Sequence, residues 1–129
     1  MGLDQYLIMK RKNEKKETVL GIMNGAFPMG IKSEGEQIGY FRKAYTVSDC
    51  ILEELGILDS EEDHNCKDLK LTKENIENII TDAQWHLDEE VYQDEWEKHD
   101  WEDAVKIFDN ALKILKDNPD VEIYYKEWF

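Results

Sequence analysis

Apolar residues in this chain cluster on both parities near its start, alternate near its end and recur every three or four positions through its middle. The two periods predict strands at the ends and amphipathic helices between them. Residues 3–10 include Leu3, Tyr6, Leu7, Ile8 and Met9 and leave few polar positions. That predicts a strand covered on both faces, and hence one interior to a sheet. Residues 11–16 form a polar turn, and Thr18, Val19, Leu20 and Ile22 predict a return strand over 17–23, weakened by Gly21. Residues 24–35 hold three of the seven glycines and Pro28, which predicts a loop.

Ser33 followed by Glu36 resembles a capping box. A helix starting there places Ile38, Phe41, Tyr45, Leu52 and Leu55 on one stripe and stops at Gly56. Residues 59–65 are an acidic loop, and the alternation of Leu69 and Leu71 in 66–71 predicts a half-buried strand. Thr72 is a good N-cap for a helix carrying Ile76, Ile79, Ile80, Ala83 and Leu87. A further helix starts near Asp100, with Trp101, Ala104, Val105, Phe108, Leu112 and Leu115 on its stripe. Asn118-Pro119 ends it, because proline lacks an amide donor and disfavours helix in the preceding residue. Val121, Ile123 and Tyr125 then alternate with Glu122, Tyr124 and Lys126 in a closing strand. The predicted order is β-β-α-β-α-α-β. Three one-sided helices are buried most economically against one small sheet of about four strands, so the fold class is α+β. Residues 1–129 are expected to form a single acidic domain.

Composition narrows the picture. At 129 residues and 41% hydrophobic content the chain can bury a core without a metal or disulfide, although 36% of it is charged. Two cysteines are too few for a disulfide framework, and reduced, buried thiols are expected. No apolar run approaches the ~20 residues of a membrane span, and the start of the chain lacks signal-peptide features. A cytoplasmic protein with no membrane contact is therefore expected.

Net charge is −14 and unevenly spread. Residues 1–43 carry eight Lys/Arg against five Asp/Glu, whereas 44–129 carry eight against twenty-five. The field of the second part repels nucleic acid and anionic lipid and favours a basic protein surface. The charge peaks in residues 88–103, where Asp88, Glu89, Glu90, Asp94, Glu95, Glu97, Asp100, Glu102 and Asp103 put nine carboxylates into sixteen positions. Trp96 and Trp101 lie among them. This is the candidate partner-binding segment. Dense carboxylates imitate a phosphate backbone, and aromatics supply the area that binding hot spots favour. The competing reading is a solvated connection between helices whose aromatics face the core.

Other chemistry finds little support in the sequence. Calcium loops need a glycine at the tight turn, and the acidic segment has none. Cys50, His64, Cys66, His86 and His99 lack the paired spacing of a zinc site, so buried cysteines and surface histidines are expected. There is no nucleophile elbow, phosphate loop or dinucleotide glycine pattern. No catalytic residue, metal or cofactor is assigned. Arg42 and Lys43 beside Tyr40, with Lys10, Arg11, Lys12, Lys15 and Lys16, form a small basic group expected to pair with the chain's own carboxylates.

The two ends also look like something known. Met1-Gly2-Leu3-Asp4-Gln5-Tyr6-Leu7 resembles the opening of a family of small uncharacterised phage and prophage proteins that begin Met-Gly-Leu-Asp-x-Tyr-Leu. Tyr40-Phe41-Arg42-Lys43 is similar to that family's Tyr-Trp-Arg-Lys segment on its first helix, with Phe41 in place of tryptophan. Leu69 to Glu74 is similar to its strand leading into a Thr-capped helix, and Tyr124-Tyr125 with Trp128 to its ending. The acidic segment has no counterpart there. The resemblance implies a mobile genetic element acting in a bacterial host cell. Together with the charge, it leads to the expectation of an accessory protein that binds and modulates a host protein. The concrete version is an inhibitor of a nucleic-acid-binding defence or transcription protein by DNA mimicry, in the manner of an anti-CRISPR protein. A small metal-dependent enzyme and an oligomeric phage assembly factor are the alternatives.

Overall fold

A computed structural model describes residues 3–11, 35–58 and 64–129. Within them the chain forms strands β1 (Asp4–Arg11) and β2 (Glu36–Arg42), helix α1 (Tyr45–Glu54), strand β3 (Leu69–Leu71), helices α2 (Lys73–Asp88) and α3 (Glu95–Asp117), and strand β4 (Val121–Trp128). The sheet is antiparallel throughout, in the order β2-β1-β4-β3. This is the predicted α+β class and element order.

The route to that order differs from the sequence reading at β2. The expected return strand over 17–23 lies outside the described residues. The apolar spacing predicts a helix over residues 36–42, capped by Ser33, but they form a strand paired with β1 from Asp4↔Arg42 to Met9↔Glu36. Ile38 and Phe41 fit a helical stripe, but Gly39 is a poor helix former, and Tyr40 and Phe41 are strand-favouring aromatics. Cross-strand hydrogen bonds to β1 decide between the two. The register slips between Leu7 and Ile8, leaving Ile38 as the extra residue of a bulge, packed against the core. The helix begins only at Tyr45, after Lys43 turns the chain at φ 56° with its amide donating to Leu3 O. It ends as expected at Gly56, whose φ of 74° suits only glycine well.

One face of the sheet carries Gln5, Leu7, Phe41, Leu71, Ile123 and Tyr125, all buried. The helices share one core with this face through Val47 and Ile51 of α1, Ile76, Ile79 and Ala83 of α2, and Trp101, Ala104, Phe108 and Ala111 of α3. Gly39 lets α3 lie close against β2: a Cβ there would stand 2.4 Å from Ile107 Cγ2. The opposite face is less covered than the apolar run in 3–10 predicts, because Tyr6, Ile8 and Tyr124 are only half-buried. Lys10 is buried on that side, 2.6 Å from Asp68 and 4.6 Å above the Tyr124 ring. Arg11 lies 3.6 Å from Asp120, so these two members of the basic group pair with carboxylates as expected.

α2 opens with Thr72 and Asn75 capping each other's backbone amides at 3.1 and 2.9 Å. α3 starts five residues earlier than its apolar stripe indicates. Asp94 accepts a hydrogen bond from the Glu97 amide at 2.9 Å, and Glu95 and Glu97 in the first turn complement the helix dipole. The first turn therefore rests on capping chemistry, which a periodicity count does not register.

Candidate functional site

The acidic segment is not one loop. Asp88 closes α2, Glu89 caps it, residues 91–94 connect, and Glu95 onwards belongs to α3. The two halves have opposite electrostatic logic. Asp94, Glu95 and Glu97 sit at a helix N-terminus, where negative charge is favoured. Asp88, Glu89 and Glu90 sit at a helix C-terminus, where it is disfavoured, with His86 the one basic residue in the last turn. Glu90 also takes φ 56°, a left-handed conformation usually left to glycine. Farther along α3, burial and then the carboxylates of Asp103, Glu97 and Asp94 push the Asp100 carboxyl up to about 6. Among the described residues His99 lies 3.1 Å from Glu102 and Gln84 donates to Asp88 at 3.1 Å, and the segment still carries more negative charge than helix capping explains.

The two tryptophans of the segment part company. Trp96 is 80% exposed, on the first turn of α3 between Glu95 and Glu97. Trp101 is 2% exposed and belongs to the core, its ring stacked on His86 at 4.1 Å. Its assignment to the partner-binding surface is corrected accordingly: it starts the apolar stripe of α3. Trp85, half exposed on α2, adds a second surface aromatic, and it lines a groove of about 800 Å³ between α1 and α2 with Asp82, Glu53 and Glu54. Cys50 lies in the same groove. Burial first, and then its 3.0 Å bond to Asp82 Oδ2, push its thiol far up, so it stays protonated and unreactive.

A second constellation lies at the end of β4, where the sequence reading placed no function. Glu127 is 2% exposed and continues the buried parity of Val121, Ile123 and Tyr125. Its Oε2 accepts from the hydroxyls of Ser48 on α1 and Tyr125 on β4, and its Oε1 accepts from His64 Nε2 at 2.8 Å. Gln5 completes the network: its Nε2 donates to the Tyr125 hydroxyl at 3.0 Å and to Ala44 O at 3.2 Å, while the Ala44 amide donates to its Oε1 at 2.9 Å. Burial, then the charge and hydrogen bond of Glu127, raise the Tyr125 phenol well above its usual value. It therefore stays a donor. His64, expected at the surface, is half-buried in this network, and Cys66, expected buried, is exposed.

The network borders a cavity of about 500 Å³. Leu3, Leu52, Leu58 and Phe129 give it apolar walls; Ser48, Asp49, His64 and Glu127 give it a polar side. Among the described residues no three His, Cys, Asp or Glu side chains converge to hold a metal ion, and no helix is long and apolar enough to cross a membrane. One sequence signal pointed toward the site. The alternation of β4, carried two positions past Tyr125, lands a glutamate on the core face. Nothing local to His64 or Ser48 indicates that they meet it. No family model, curated protein sequence or solved structure matches this chain.

Proposed function

We propose that the protein is a binding module that engages a basic protein surface through the acidic, tryptophan-bearing end of α2 and α3. The observation that carries this reading is Trp96, 80% exposed amid Asp94, Glu95 and Glu97. An exposed indole flanked along the chain by carboxylates offers a hot-spot anchor for a cationic partner. The charge around it is held against local cost: three carboxylates oppose the dipole of α2, and Asp100 is repelled by its neighbours. A cationic partner relieves both costs, and the field accelerates its approach. The resemblance to phage and prophage proteins supports a setting in a bacterial host cell. A host protein whose nucleic-acid site would accept a carboxylate array in place of phosphates is the partner class.

The test is capture from a bacterial lysate at low and high salt, followed by affinity measurement with the recovered protein. Trp96→Ala should weaken binding about 30-fold, the value of one tryptophan hot spot, without changing the melting temperature. Affinity should fall as salt rises, and duplex DNA should compete. Binding indifferent to Trp96→Ala and to salt sinks the proposal.

A further inference from the structure

We propose that the cavity at the end of β4 is a separate binding site for a small apolar primary amine. Its ammonium group would sit against Glu127 beside His64, and its body between Leu52, Leu58 and Phe129. This site is independent of the acidic surface at α2 and α3.

At about 500 Å³ the cavity falls in the range of small-molecule pockets, roughly 300–1,000 Å³. Its make-up is that of such pockets, with mostly apolar walls and a few converging polar groups. Charge decides the ligand class. Among the described residues Glu127 and Asp49 line the cavity with His64, which lies 2.8 Å from Glu127, and no Lys or Arg does. Glu127 is almost wholly withdrawn from water and held in place by its partners, so it presents a fixed negative charge at the polar side of the cavity. An anion is repelled there, and a neutral donor makes a hydrogen bond to the carboxylate without the added attraction of opposite charges.

Hydrogen-bond capacity gives the position. A carboxylate has about four acceptor sites. Oε2 of Glu127 uses two, for Ser48 and Tyr125, and Oε1 uses one, for His64. Among the described residues no further donor takes the remaining acceptor site on Oε1, the oxygen that also faces His64. An ammonium there makes a charge-assisted bond, roughly twice as strong as a neutral one. The apolar walls hold an aliphatic or aryl body. Phe129 is fixed from both sides: its ring meets His64 at 5.2 Å, and its amide donates to Asn65 Oδ1 at 2.9 Å.

The test uses three probes of one shape on the unaltered chain: phenethylamine, 2-phenylethanol and 3-phenylpropanoate, titrated while the protein's NMR signals are followed. Phenethylamine should shift the resonances of Ser48, Leu52, His64 and Phe129 saturably. The alcohol should bind about tenfold more weakly, the difference one charge-assisted bond makes, and the carboxylate should leave these signals unmoved. Asp49→Asn, an exposed change on α1, should weaken the amine several-fold and leave the alcohol unaffected. Equal binding of all three probes, shifts confined to other regions, or no shift with the amine overturns the proposal. Because Trp96→Ala leaves this cavity intact, failure here does not touch the reading of the acidic surface.

Discussion

Asp100 lies past the first turn of α3, too far along to benefit from the helix dipole, with Asp103, Glu97 and Asp94 around it. Partial burial, and then these neighbouring carboxylates, push its carboxyl up to about 6 in the folded protein, against about 3.9 in an unfolded chain. The folded state thus holds this proton more tightly, and between about pH 4 and pH 6 stability falls as pH rises. The loss is complete above that window and persists at neutrality. Asp100→Asn removes the ionisation. It should leave stability nearly unchanged at pH 4 and raise it at pH 7 by about 1 kcal/mol, discounted for the solvent on the exposed side. Paired thermal melts across pH 4–7 check this, and a gap that does not grow with pH contradicts it. Single residues were unevenly legible in the sequence. Glu127 could be found by parity alone, as a charge at a core position of β4. Trp101 could be assigned to the stripe of α3 or to the acidic surface, and only packing against His86 decides. His64 and Ser48 reach Glu127 across 63 and 79 residues of chain, and no local pattern encodes that meeting.

At the scale of elements, caps and stripes were readable where the chain itself supplies both partners. Thr72 and Asn75, or Asn118 and Pro119, are neighbours in sequence, so their geometry follows from local chemistry. β2 was misread because its partner, β1, is some thirty residues away and its own apolar spacing suits a helix equally well. The end of α2 shows a cap made from the wrong residue. The Val91 amide donates to His86 O at 2.9 Å and the Glu90 amide to Leu87 O at 3.3 Å, the two bonds of a Schellman ending. That ending wants glycine at position 90, because a Cβ is strained at φ 56°. Glu90→Gly should therefore stabilise the fold by about 0.5–1 kcal/mol, measured by urea denaturation. Relief of the charge at the helix C-terminus adds to it. The same variant should bind the basic partner more weakly. A destabilised Glu90→Gly protein would show that the glutamate side chain supports the turn, which removes one argument for its service in binding.

Across the whole molecule, the fold class followed from counting one-sided elements, since three apolar stripes and a few short strands have one economical arrangement. Strand order did not follow, because it depends on which backbones pair. In the structure the first and last strands are neighbours at the centre of the sheet, with β4 paired to β1 along its entire length, from Asp4↔Trp128 to Arg11↔Val121, and to β3 on its other edge. β4 is thus the strand that joins the two halves of the sheet. Its inward side chains Ile123, Tyr125 and Glu127 also meet the core and the Gln5–Ser48–His64 network. A chain ending at Ile123 would lose the buried Tyr125, leave Ser48 and His64 without their shared acceptor Glu127, and take the Tyr125 hydroxyl from Gln5. It would also expose the backbone of β1 over Asp4–Ile8 and of β3 at Leu69 and Lys70. Each buried polar group so stranded costs about 1–3 kcal/mol, and loss of a buried aromatic about 3–5 kcal/mol. Those losses together match or exceed the 5–15 kcal/mol by which a domain of this kind is stable. Deleting residues 124–129 should therefore abolish cooperative thermal melting and the near-ultraviolet circular dichroism of the buried aromatics. A truncated chain that still melts cooperatively would show that β1, β2 and the helices form a sufficient core without the strand that joins them to β3.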